Sequence, residues 1–378
     1  MNAPPGPGSP SESPALLRFR RQFLVTPRAV ELPGWRHERA GDHNVYAHPE
    51  LGVTVHRSDG GVVIVLLGFA IDPDHPERDD AAVLESLADD RSRGVEQPTI
   101  DRLSGRFVLF VFDGAHITVQ ADAAGARAVE YTWTGDEFHA ASQSFLLAEA
   151  VPLSEGGRAA QFRGSLHARL DREAFLPADV TLFDGVHRLL PNHRLDAAER
   201  RQVRVWPFEP VAPASLGDAA AFAARQLSAS IDAASYRFPL SLPLTAGYDS
   251  RALLAATPRS RRSRLFLYTL LYRHLGRFSA DAHVASRVAL RAGLQHHLVE
   301  CRAIPGPEWR RLYTGNSPLA HYDDWGIIAR GMHAGLPGGQ VALKGNASEI
   351  VRTFYWRDGV APRSRDAADI LALHPGWS

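Results

Sequence analysis

The residues best suited to chemistry lie between Leu242 and Leu254, where Leu-Pro-Leu-Thr-Ala-Gly-Tyr-Asp-Ser-Arg-Ala-Leu-Leu reads as a strand, a turn of small residues and the start of a helix. Backbone N–H groups at a helix N-terminus have no acceptor within the helix. Small residues at Thr245, Ala246 and Gly247 therefore let an anion approach them closely, and Ser250 adds a hydroxyl. A carboxylate such as Asp249 is repelled by a bound phosphate unless a divalent cation lies between them, so its presence points to a magnesium nucleotide rather than a bare anion. No Gly-Lys-Ser/Thr follows Gly247, which excludes a Walker A loop. The plain alternative is a tight strand-to-helix turn at Gly247 with an incidental acidic residue near the helix start.

The elements that must position this segment follow it. Residues 264–272 form a β-branched and aromatic run, residues 279–289 have helical spacing with Ser279 as cap, and 296–300 read as a third strand. Alternating strands and helices predict a parallel sheet with right-handed crossovers. Its ligands then lie beyond the carboxyl ends of the strands, on the side of Asp249. Pro239 and Pro243 fall in the first strand and are four residues apart. They remove N–H donors from one edge, so the neighbour on that edge is expected to pair imperfectly.

The hexapeptide Thr245-Ala246-Gly247-Tyr248-Asp249-Ser250 resembles the Ser-Gly-Gly-x-Asp-Ser pyrophosphate loop of N-type ATP pyrophosphatases, above all in the asparagine synthetase family. That resemblance implies ATP and Mg²⁺ as cofactors. It places Thr245, Ala246, Gly247, Tyr248, Ser250 and Arg251 around the nucleotide, and Leu270 and Ser279, with Asp281 in a Ser-x-Asp, near adenine. A fourth strand over 340–346 should lead to the family's acidic magnesium loop, here Gly345-Asn346-Ala347-Ser348-Glu349. Asp249, Asn346 and Glu349 are the implied metal ligands, and Asp249, Lys344 and Glu349 the implied catalytic groups. Lys344 is the only lysine in the chain. At a strand's carboxyl end it suits a leaving pyrophosphate or is simply a surface residue.

The first half reads as short strands separated by turns, an antiparallel meander over 103–142. Its Gly-x-Phe at 105–107, its Asp-x-x-Gly at 122–125 and the serine of 138–142 resemble the αββα N-terminal-nucleophile glutaminase domain that precedes the synthetase domain in this family. The resemblance implies a tail over 1–16, a glutaminase-like domain over 17–210 and a doubly wound, adenine nucleotide α-hydrolase-like domain over 215–378. Met1 is followed by Asn2 in a Pro/Gly/Ser-rich stretch, so the expected domain lacks the Cys, Ser or Thr nucleophile. β-Lactam synthetases and lasso-peptide cyclases are relatives that share this loss. The family's further helical region is not found before Ser378, so either a protein partner completes the acceptor site or this version is truncated or degenerate. A homodimer stays open.

Composition sets the outer bounds. The chain has 378 residues, 45% of them hydrophobic, enough for two ordinary cores. Its 42 basic residues balance 42 acidic ones, which gives no general preference for polyanions, and the arginine run 259–264 reads as a solvated turn rather than a nucleic-acid patch. No apolar stretch is long enough to span a bilayer and no signal segment opens the chain, so a cytoplasmic protein is expected. Cys301, the single cysteine, excludes disulfides within the chain and reads as a buried apolar residue; the 17 histidines have no metal spacing. The expected function is an ATP-dependent ligase joining a small-molecule or peptide carboxylate to an amine without using glutamine. A nucleotide-binding scaffold is the second reading and a tRNA-modifying enzyme the third.

Overall fold

The computed structural model describes residues 14–164, 176–207, 212–320 and 322–345. Twelve strands of its first half form two antiparallel sheets. One has the order β10-β8-β9-β1-β3-β2, from His187–Arg188, Glu130–Thr134, Glu137–Ala141, Phe23–Thr26, His43–Ala47 and Arg36–Ala40. The other runs β12-β11-β7-β6-β5-β4, from Arg201–Arg204, His193–Asp196, His116–Ala121, Ser104–Asp113, Val63–Ile71 and Val53–Arg57.

Alternation along the strands builds the layers. Phe23 and Val25 of β1, Val65 and Leu67 of β5, and Val108 and Phe110 of β6 meet between the sheets. Phe23 touches Phe110 edge to face at 5.7 Å. The intervening residues Ile64, Leu66, Phe107 and Leu109 turn outward under Val83, Leu84 and Leu87 of helix α1, Asp80–Ser92. Leu24 and Ala141 face the other way, under the short helix Ser144–Leu147. With both faces covered, a strand such as Val63–Ile71 is apolar at nearly every position instead of every second one. The expected meander is divided between the sheets. β6 pairs with β7 in one and β8 with β9 in the other. The chain crosses at Asp122, whose carboxylate accepts the backbone N–H groups of Phe107, Ala126 and Arg127.

The second half is a parallel sheet of order β15-β14-β13-β16, from His296–Glu300, Leu265–Leu271, Leu240–Pro243 and Val341–Ala342. Helices α2, Leu216–Arg237, α3, Tyr248–Ala256, and α4, Ala280–Arg291, pack through Ile231, Leu253, Leu254, Ala285 and Ala289 on one face. On the other face, Ile328 of helix α5, Ile327–Gly335, lies with Tyr268, Val299 and Cys301. The chain thus builds outward from β13 to β15 and returns on the opposite face to place β16 on the other side of β13. That reversal is the topological switch point of a doubly wound sheet.

The prolines explain why β16 is short. Residues 239, 241 and 243 direct their polar groups to the β16 edge, where Pro239 and Ser241 accept from the N–H groups of Val341 and Leu343 at 3.0 and 2.8 Å. Neither proline can return a bond, so the ladder is limited to Val341–Ala342 instead of the expected 340–346. The expected domain boundary near residue 210 falls on residues outside those described.

Candidate functional site

β13 delivers the chain to a loop at the switch point, and the loop is held from within. Ser250 is buried, and its Oγ accepts the Thr245 N–H at 3.1 Å while lying 3.0 Å from Thr245 Oγ1. Thr245 Oγ1 in turn accepts the Gly247 N–H at 3.1 Å. Gly247 is the N-cap of α3 and offers no side chain to the helix. The first turn of α3 therefore receives no capping oxygen from its N-cap residue, which leaves room for an anion above it. Arg251 folds back over this turn, donating from Nε to Gly247 O at 3.2 Å with its guanidinium 4.7 Å from the ring of Tyr248, which is 75% exposed.

Neighbouring strands close around the loop. Asp281, in the first turn of α4, accepts the Ala246 N–H at 2.9 Å, so a loop amide already binds a carboxylate oxygen. Ser279 is the N-cap of that helix and accepts from Ala282 N–H at 3.3 Å, which fixes where Asp281 points. Leu270 is half-buried near the carboxyl end of β14 and packs on the side of Tyr268 and Val299, away from α3 and α4. Gly345 lies directly against the acidic residue: a Cβ placed on it would sit 2.8 Å from Asp249 Cβ. Only glycine fits there. The switch point therefore brings residues 245–251 to the end of the chain segment that follows β16. Lys344 belongs to that segment and is exposed. Asn346 and Glu349 lie outside the described residues.

Below the loop, Thr269 Oγ1 donates to Leu244 O at 2.6 Å and lies 2.9 Å from His296 Nε2, while His296 Nδ1 is 3.0 Å from Ser286 Oγ. Because the threonine proton is committed to the carbonyl, Nε2 must be the protonated nitrogen that donates to Thr269. Burial, with His297 adjoining, lowers the pKa of His296 and keeps it neutral at pH 7. Its sequence neighbour His297 stacks on Phe266 instead, at 4.3 Å. The strand alternation that separates these two histidines is legible in the sequence, whereas the support given to the loop carbonyl is not.

No protein-family model matches the chain, and no curated protein matches it. Similar solved structures include the following three. The allosteric regulatory enzyme of purine biosynthesis aligns over 81% of this chain and 75% of its own, with 12% identity and a TM-score of 0.31. Glutamine phosphoribosylpyrophosphate amidotransferase from B. subtilis, complexed with ADP and GMP, aligns over 78% and 65%, with 9% identity and a TM-score of 0.28. Glutamine-dependent NAD⁺ synthetase from Acinetobacter baumannii, in complex with ADP, aligns over 54% of this chain and 44% of its own, with 18% identity and a TM-score of 0.25. At such scores the likenesses carry no argument about chemistry.

The site's own geometry limits what it can do. Asp249 lies in the first turn of α3, and no group of three or more His, Cys, Asp or Glu is placed to hold a metal among the described residues. A preassembled metal cage is therefore not built from the described part of the chain. A cation entering here would meet Asp249 as a companion of the anion it neutralises. No helix among the described residues is long and apolar enough to cross a membrane.

Proposed function

We propose that the chain is an ATP-dependent carboxylate–amine ligase of the asparagine synthetase type that does not use glutamine. The observation that carries this reading is the placement of a small-residue loop, with glycine at the helix N-cap and an acidic residue in the first turn, at the switch point of a doubly wound sheet. Ligands of such sheets lie there, beyond the carboxyl ends of the strands. The phosphates of ATP would approach the amides of the first turn of α3. Magnesium would arrive with them, with Asp249 and the expected Asn346 and Glu349 as the side chains to meet it, and would lower the charge on the phosphates.

In the proposed reaction a substrate carboxylate oxygen forms a bond to the α-phosphorus while the bond from that phosphorus to the bridging oxygen breaks, releasing pyrophosphate. The amine nitrogen then bonds to the acyl carbon, AMP leaves with the shared oxygen, and the amine loses a proton. The protein's own share is positioning and charge stabilisation. The loop would hold the phosphates, Arg251 and Tyr248 stand over the turn, and Lys344 would meet the departing pyrophosphate. The absence of a glutaminase step is supported at the first strand. β1 begins at Phe23, whose N–H donates to Ser142 Oγ, and the described chain continues upstream of it through the helix Pro14–Leu17, so the strand does not begin with a free α-amine.

The test is calorimetric titration of wild type and Asp249→Ala with Mg·ATP, followed by ATP–pyrophosphate exchange. Loss of at least tenfold in affinity with an unchanged melting curve is expected. Equal affinity in the two proteins removes the loop from the reading. ATP binding without exchange across amino-acid and peptide carboxylates would favour the nucleotide-binding scaffold.

A further inference from the structure

Thr245 and Ser250 hold the loop at 245–251 from within, and a residue distant in sequence holds it from outside. Along the segment that carries the chain out of β13, the backbone groups are engaged one after another. The Leu244 N–H donates to Tyr268 O at 2.8 Å, and Leu244 O accepts from Thr269 Oγ1 at 2.6 Å. The Thr245 N–H then donates to Ser250 Oγ, the Ala246 N–H to Asp281 Oδ1 and the Gly247 N–H to Thr245 Oγ1. Amides bonded in this way point at protein atoms and form the wall of the loop. Its ligand side begins with the first turn of α3, after Gly247.

The acceptor of the Ala246 N–H lies on a different helix from the loop. Asp281 follows 35 residues later, half-buried in the first turn of α4, where the helix dipole favours a carboxylate. Ser279 caps that helix through the Ala282 N–H and so fixes where its first turn begins. Ala285 and Ala289, both fully buried, anchor α4 in the core that also holds Leu242, Leu253 and Leu267. The position of the Ala246 peptide is thereby set by a packed helix and not by the loop alone. A negative charge does not help beside phosphates, so what Asp281 contributes is an acceptor at a fixed place.

We propose that Asp281 is a positioning residue for the loop: it holds the Ala246 peptide against α4 and so keeps the first turn of α3 open to phosphates. The identity of the ligand rests on the ligase reading, whereas the contact does not. Because the role is that of an acceptor, asparagine should fill it, since its carboxamide oxygen can take the same N–H.

Hydrogen exchange at the Ala246 amide and calorimetry with Mg·ATP, both on the full chain, test it. Asp281→Ala should speed exchange at Ala246 about tenfold or more and weaken Mg·ATP about tenfold, the loss of one hydrogen bond to a charged group. Asp281→Asn should keep the amide protected and the affinity within about twofold of wild type. If Asp281→Ala does not fold, Asp281→Glu keeps an acid in the first turn but moves its carboxylate by one methylene, and should weaken protection and affinity together. The proposal is overturned if Ala246 exchanges alike in wild type and the Ala or Glu variant, or if exchange rises with affinity unchanged. Asparagine binding as weakly as alanine also overturns it, because the charge and not the acceptor would then matter. Tighter binding by Asp281→Ala would do the same, making Asp281 a competitor of the phosphates. Wild type that does not bind Mg·ATP removes the ligase reading, and exchange at Ala246 then decides by itself whether Asp281 holds the loop.

Discussion

Ser250 and Asp249 are adjacent and differ in what they serve. The Ser250 hydroxyl is enclosed by Thr245 and Gly247, so it sets the shape of the loop before any ligand arrives. Ser250→Ala is expected to destabilise the fold by about 1–3 kcal/mol, since the Thr245 N–H loses its acceptor, and to weaken Mg·ATP binding through a loosened loop. Asp249→Ala should lower ATP affinity with little change in stability. Urea denaturation read beside calorimetry separates the two, and equal stability losses would contradict the division of roles. At His139 the expected effect is on pH dependence. Its ring is buried, with Nδ1 2.8 Å from Thr26 Oγ1 and Nε2 without a hydrogen bond, and burial lowers its pKa to about 4. An unfolded histidine takes up its proton near pH 6.5, so between these values the unfolded chain binds more protons and stability falls as pH falls. The loss between pH 6.5 and 4 should reach about 3 kcal/mol. His43, His48 and His296 are shifted in the same direction, so the comparison of wild type with His139→Gln isolates this residue's share. A variant with the same pH slope as wild type would refute the assignment.

At the scale of elements, the parallel sheet was the most legible part of the chain. The runs 264–272 and 296–300 became β14 and β15, and Ser279 became the cap of α4, because strand and helix periods and capping chemistry act over a few neighbouring residues. Even the imperfect pairing followed from Pro239 and Pro243, although the sequence could not say how short β16 would be. The pairing of the antiparallel strands was less legible. A meander and a pair of hairpins divided between two sheets have the same local pattern, and the choice is made where Asp122 gathers three amides from separate stretches. An arginine-lined cleft was not legible at all. Arg20, Arg21, Arg106 and Arg127 are scattered through a charge-balanced sequence, and only the folded chain collects them around one cleft. The loop at 245–251 was visible because its chemistry is contiguous, whereas Gly345 against Asp249 depended on the order of strands.

For the whole molecule, the antiparallel and the parallel halves pack against each other. Ile71, at the end of β5, is buried with Leu240, Leu242 and Ile231 of the parallel-sheet half, and Phe69 packs against Phe238 at 4.9 Å. Arg237 at the end of α2 pairs with Asp80 at 2.7 Å and also donates to Ala70 O. Asn316 bonds to Leu17 O and to the Arg20 N–H, tying the start of the described chain to the far side of the molecule. Apolar and partly buried polar contacts of this kind couple the two halves, since neither can unfold without exposing surface that the other covers. Ile71→Ala should accordingly cost about 2–5 kcal/mol, and the loss should appear equally in a probe of either half. Fluorescence of Trp133, on β8, and of Trp309, near α5, can follow the halves separately in variants that retain one tryptophan each. Coincident urea transitions, both shifted by Ile71→Ala, are the expected result. Two separated transitions, with only the Trp133 signal shifted, would mean that the halves fold independently and that Ile71 serves only its own sheet.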